Sequence, residues 1–199
     1  MKLTLAFLVV SMCSFAAAQQ MVKEPSTEKN FPAEITVQNG STSATLQLTG
    51  LAVRKKFFFK VYGIAHYLQD AEKMSEEDAF KACLTDGKAK QITMDFARDV
   101  GVDKITDSYK EAFEENATKE ELAAVQPSLK QFLGYFNKEV KENEQYVLRW
   151  FPGGTVVSII QGEEKPAITD ETFARILWSI WLGPNSVVDR DDLVARITK

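Results

Sequence analysis

Along the chain the apolar residues change period several times, and each change marks an element. Glu34 to Gln38 and Ala44 to Thr49 are short runs rich in Ile, Val, Thr and Leu, and Asn39-Gly40-Ser41 between them is a hairpin signal. Leu51 to Leu68 (LAVRKKFFFKVYGIAHYL) is too aromatic and β-branched for a helix and reads as one long strand, with Gly63 a bulge or bend. The period then lengthens to that of a helix: Ser75 with Asp78 forms a cap, Phe80, Cys83 and Leu84 share a face, and Gly87 ends the run. Gln91 to Phe96 alternates as a strand, and Asp103 to Asn116 carries Ile105, Tyr109, Ala112 and Phe113 at helical spacing. Thr118 to Glu121 is a capping box opening a helical run to Phe136, which Pro127 must break or kink.

Tyr146 to Phe151 and Thr155 to Gln161 read as a hairpin turned by Pro152-Gly153-Gly154, away from any helix terminus. Thr169 or Asp170 caps a last apolar helix to Leu182, with Phe173, Ile176, Leu177 and Ile180 as its stripe, and an amphipathic turn or two follows from Asp189 to Ile197. Strands, helices, strands, helices in that order define an α+β domain with a mostly antiparallel sheet and helices on one side.

The ends of the chain read differently. Lys2, the apolar run Leu3–Val10 and the small residues Ala16-Ala17-Ala18 have the pattern of a secretory signal peptide cleaved near Ala18. The run is too short for a membrane span, which needs roughly 20 apolar residues. Residues 19–32 are polar, with Pro25 and Pro32, and predict a flexible leader; the domain is expected over 33–199. The segment predicts an exported protein, periplasmic or secreted.

Composition narrows the chemistry. With 24 Lys+Arg against 28 Asp+Glu, the net charge is −4, which does not suit a nucleic-acid binder. Beyond the leader only Cys83 remains, so no internal disulfide is expected and the thiol reads as a buried apolar group with no His beside it. His66, the single histidine, reads as structural. No dinucleotide, phosphate-loop, CxxC or nucleophile-elbow motif is present, and Asp95, Asp99 and Asp103 fall on different elements, so neither metal nor organic cofactor is expected.

The cluster Arg54-Lys55-Lys56 precedes three phenylalanines. On a straight strand Arg54, Lys56, Phe58, Lys60 and Tyr62 share one face, a mixture of cations and aromatic rings that suits a solvated surface or the mouth of a cleft for an apolar body with an anionic head.

VRKKFFFKVYGIAHYL, QITMDFARDV, FPGGTVVSIIQG and ETFARILWSIWLGPNSV together resemble the chalcone isomerase-like proteins, in particular an exported bacterial branch, over Ala33 to Lys199. The resemblance implies an open-faced β-sandwich, a large antiparallel sheet covered by helices with a ligand cleft between the layers. It also implies an activity in the plant enzymes: closure of a chalcone to a flavanone by intramolecular conjugate addition, without a cofactor. There an early-strand Arg steers the phenolate, while a Thr and a later Tyr organise hydrogen bonds to the ketone. Arg54 matches the Arg. The Thr position falls on Tyr62, and the Tyr position falls near Val102 or Asp103, with Tyr109 the nearest phenol.

Fatty-acid-binding relatives of this fold keep an Arg and a Tyr that hold a carboxylate. On a straight strand Arg54 and Tyr62 stand about 26 Å apart, too far to share a head group unless the strand folds back. Arg98, after the next strand, is the alternative cation. The ligand-binding candidates are therefore Arg54, Tyr62, Arg98 and Tyr109, with Arg54 foremost if catalysis occurs. Three readings follow: a non-catalytic binder of a small apolar or amphipathic acid such as a fatty acid, an isomerase of aromatic enones, and a structural or partner-binding envelope protein whose cleft its own side chains fill.

Overall fold

The computed structural model describes residues 19–199 apart from Ser41; the signal-peptide segment lies outside the described residues. Its centre is an eight-stranded antiparallel sheet. Strands β3 (Glu34–Asn39), β4 (Thr42–Lys56), β5 (Phe59–Gln69), β6 (Lys90–Phe96), β7 (Gln145–Phe151) and β8 (Thr155–Ile160) follow one another in sequence order, and β9 (Glu163–Glu164) and β10 (Ile168–Thr169) both pair with β8. Helices α1 (Glu76–Leu84), α2 (Val102–Asn116), α3 (Lys119–Ala124), α4 (Gln126–Leu133) and α5 (Glu171–Leu182) enter between and after these strands.

The expected caps form. Ser75 accepts from the Asp78 amide, Asp170 from the Phe173 amide, and Thr118 and Glu121 close both halves of a capping box. Pro127 splits the run after Thr118 into α3 and α4, sitting in the first turn of the second helix, where its missing N–H has no partner to lose. On α5, Phe173, Ile176, Leu177 and Ile180 are all buried, and so are Trp178 and Trp181, which an amphipathic stripe would not accommodate. The sheet lies on one side of α5 while α1 and α2 flank it, so this helix is interior nearly all round.

Two regions differ from the sequence reading. Residues 19–32 are not an unstructured leader: β1 (Met21–Lys23) pairs with β2 (Asn30–Pro32), and Phe31 is fully buried. Phe31 joins Val37, Leu46, Leu48, Ala65 and Tyr67 in a second, smaller core on the sheet face opposite the helices, and this anchor holds a polar segment in place. The single strand from Leu51 to Leu68 is in fact the end of β4, a two-residue turn at Phe57-Phe58, and β5. Phe57 has φ 56°, in the left-handed region that Gly or Asn ordinarily fills in such turns, so the sequence carries no turn signal there.

A bulge in β4 sets which way this hairpin faces. Leu48 pairs with Tyr67, but Gly50, not Thr49, pairs with His66, leaving Thr49 as the extra residue. Leu46 and Leu48 therefore face the small core, whereas Ala52, of the same parity, faces the helices. Thr49 is fully buried and ties the bulge down: its hydroxyl contacts the His66 ring at Nδ1 (2.7 Å) and the Leu193 carbonyl (2.7 Å). At Gly50 the C-terminal segment comes so close that a Cβ would stand 2.0 Å from the Asp192 carbonyl oxygen.

Candidate ligand-binding site

Between the helix-facing side of the sheet and helices α2 and α5 lies a cavity of about 500 Å³. Arg54, Tyr62, Arg98 and Tyr109 all border it. The turn at Phe57-Phe58 resolves the separation of Arg54 and Tyr62, which are directly opposed cross-strand partners. Opposed residues of an antiparallel pair have Cα atoms about 4.5–5.5 Å apart, in place of the 26 Å of a straight strand.

The Arg54 guanidinium donates to the Val187 carbonyl at 2.8 Å. Among the described residues it forms no ion pair with a carboxylate. Tyr62 is buried, and its hydroxyl accepts a hydrogen bond of 3.0 Å from Trp181 Nε1. Burial raises the Tyr62 pKa, opposed by the Trp181 hydrogen bond and by the nearby Arg54 charge. Tyr109, buried against Phe132, Phe136 and Trp181, is raised well above its ordinary value by burial and then by the Tyr62 and Tyr146 phenols. Arg98 is exposed at the rim, its guanidinium 4.6 Å above the centre of the Phe59 ring.

Trp181 reaches the cavity, as its place off the centre of the α5 stripe suggests, whereas sequence reasoning missed Tyr146 as a wall residue. Tyr146 shares its face of β7 with Leu148 and Trp150, so strand parity was the available signal. Its hydroxyl is buried without a protein partner, and burial pushes its pKa up to about 12. Tyr62, Tyr109 and Tyr146 thus stay protonated near neutral pH and act as hydrogen-bond donors, not bases. The cavity offers an anion a fixed positive charge, phenolic donors and apolar walls that include Met94, Phe96 and Ile180.

Other chemistry-bearing groups lie elsewhere. Cys83 does have a histidine neighbour, with His66 Nδ1 3.9 Å from its sulfur, seventeen residues away in sequence but adjacent across the core. Burial pushes the thiol up to about 12 and the imidazole down to about 3, so both are neutral and no thiolate–imidazolium pair forms. Gly153-Gly154 proves to abut the first residue of α5, but its amides are taken by the Asp86 carboxylate, at 2.8 and 3.2 Å. Asp95 pairs with Lys29 and Asp99 with Lys141, and among the described residues no group of three acidic, His or Cys side chains could hold a metal ion. Among the same residues no helix is long and apolar enough to cross a membrane.

A curled antiparallel sheet covered by helices, with a cavity between the layers, is the architecture of the open-faced sandwich expected above. The chain belongs to the chalcone isomerase-like family, whose model matches residues 26–193. The crystal structure of a fatty-acid binding protein from Arabidopsis thaliana superposes on it with a TM-score of 0.70 at 16% identity, over 88% of this chain and 96% of that one. At this identity the likeness speaks for the fold. No curated protein sequence matches the chain.

Proposed function

We propose that this protein is a non-catalytic binder of a small apolar acid, such as a fatty acid, whose carboxylate meets Arg54 and Tyr62 while its hydrocarbon tail occupies the cavity. The observation that carries the reading is the placement of Arg54: a guanidinium at the cavity wall, opposite a phenol and without a carboxylate partner among the described residues. A carboxylate there gains charge-assisted hydrogen bonds that no protein group already takes. The cavity volume falls in the range of small-molecule sites, about 300–1,000 Å³, which favours a ligand over a cleft filled by the protein's own side chains. The name of the Arabidopsis neighbour agrees with this ligand class. The signal-like segment at Met1–Ala18 supports export, to a periplasm or out of the cell.

Native mass spectrometry of protein purified from its own host tests the reading. A co-purifying acid that is lost in Arg54→Gln is the expected result. Protein that carries no acid and binds none when fatty acids are added would overturn it.

A further inference from the structure

The tip of the β4–β5 hairpin is an unusual surface. Phe57, Phe58 and Phe59 are 86%, 99% and 59% exposed. Scattered single apolar side chains are ordinary on a protein surface, whereas a contiguous group marks a site of interaction. The backbone at Phe57, with φ 56°, favours glycine, yet an aromatic residue stands there.

Cations surround the tip. Lys55 and Lys56 precede it, Lys60 follows it, Arg98 lies on the Phe59 ring, and Lys104 borders the same cavity mouth from the start of α2. Lys55, Lys56, Arg98 and Lys104 form no ion pairs among the described residues, in a protein whose net charge is −4. The acidic residues that border the cavity are Asp99, beside Arg98 but ion-paired to Lys141, and Glu111 and Glu115, two and three turns further along α2 and about 10 to 17 Å from Lys104 along the helix axis.

An aromatic point ringed by unpaired cations is complementary to an anionic lipid surface, where the rings enter the boundary between headgroups and acyl chains and the cations meet phosphates. We propose that this hairpin tip is a membrane-docking wedge that seats the cavity mouth on an anionic bilayer. Phe57 and Phe59 border both the tip and the cavity, so an apolar ligand passes between bilayer and cavity over aromatic surface. Docking goes beyond the ligand reading and does not depend on the ligand's head group.

Trp150, Trp178 and Trp181 are buried, so Phe58→Trp in the full-length protein places one exposed indole at the tip as a reporter of its surroundings. Vesicles of equal parts phosphatidylcholine and phosphatidylglycerol are expected to shift its emission to the blue, and brominated acyl chains to quench it. Adding Lys55→Gln and Lys56→Gln should weaken partitioning about 25-fold, at about fivefold for each cation near the surface. High salt should weaken it as well. No spectral change with these vesicles, an equal change with phosphatidylcholine alone, or a blue shift that grows with protein concentration without lipid, as when a second copy covers the tip, would each overturn the proposal. Displacement of a soluble fatty-acid probe, measured without vesicles, reads the cavity separately and should be unchanged by Lys55→Gln alone, which lies off the cavity lining, so failure of docking and failure of the ligand reading are told apart.

Discussion

Arg54 and Tyr62 face each other across the β4–β5 pair, one anchored to the Val187 carbonyl and the other to Trp181 Nε1. Each is thus held by a different segment that follows the sheet in sequence. The cation is fixed from the loop after α5 and the phenol from α5 itself, which preorganises the pair for an anionic head.

Arg54→Gln should weaken binding of a fluorescent fatty-acid analogue by about tenfold to a hundredfold, the scale of a charge-assisted hydrogen bond of about 1.5–3 kcal/mol. Stability should change little, because the side chain has one protein hydrogen bond to lose. A titration showing equal affinity for both proteins would remove Arg54 from the site.

Tyr62→Phe leaves the buried Trp181 Nε1 without its acceptor and should cost about 1–3 kcal/mol in denaturant melts. Trp181→Phe removes the donor as well as ring volume. The double substitution should cost less than the sum of the two, and strict additivity would mean that the hydrogen bond contributes nothing.

His66 links stability to pH. Burial lowers its pKa from 6.5 to about 3, so below pH 6.5 the unfolded state takes up a proton that the folded state refuses. Stability is therefore fully present above pH 6.5 and falls on acidification by about 1.4 kcal/mol per pH unit, or about 2 kcal/mol by pH 5. This is the protein's only histidine, and carboxylates at their ordinary values protonate mostly below pH 5. Urea melts of His66→Gln should lose the slope between pH 6.5 and 5; a slope that persists would assign it to another group.

Leu177→Ala should open a cavity beneath α5 and cost about 2–5 kcal/mol, since the side chain is fully buried. Arg175→Ala, removing a half-exposed pair with Glu121, should cost about 1 kcal/mol or less. A Leu177→Ala penalty below about 1 kcal/mol would mean that α5 is peripheral to the fold.

Chalcone cyclisation should not be accelerated to an enzymatic degree of about a millionfold or more. The walls present phenols that stay protonated near neutral pH, with no general base among them. Turnover on that scale that disappears in Arg54→Ala would reverse the assignment.

Elements whose boundaries carry chemistry of their own were legible: Ser75, Thr118 and Asp170 cap the helices as side-chain acceptors do, and Gly153 and Gly154 supply the positive φ of their turn. The Phe57-Phe58 turn was not, because tertiary structure holds an aromatic residue in a conformation that local sequence does not announce. The β1–β2 hairpin was hidden for a related reason, since one anchor, Phe31, does what an apolar period would normally do. The four candidate residues were found through type and family resemblance, but their meeting depended on that unseen turn and on a bulge.

The bulge at Thr49 acts as a phase shifter for everything downstream on β4. With one residue fewer there, Arg54 would exchange faces with its neighbours and leave the cavity wall, though every side chain that lines the cavity remained in the sequence. Substitution and length change are therefore unequal hazards for lineages that carry this fold. Exchange of one exposed strand residue for another leaves the register intact, whereas a single-codon deletion between Leu48 and Arg54 would invert the wall at one stroke.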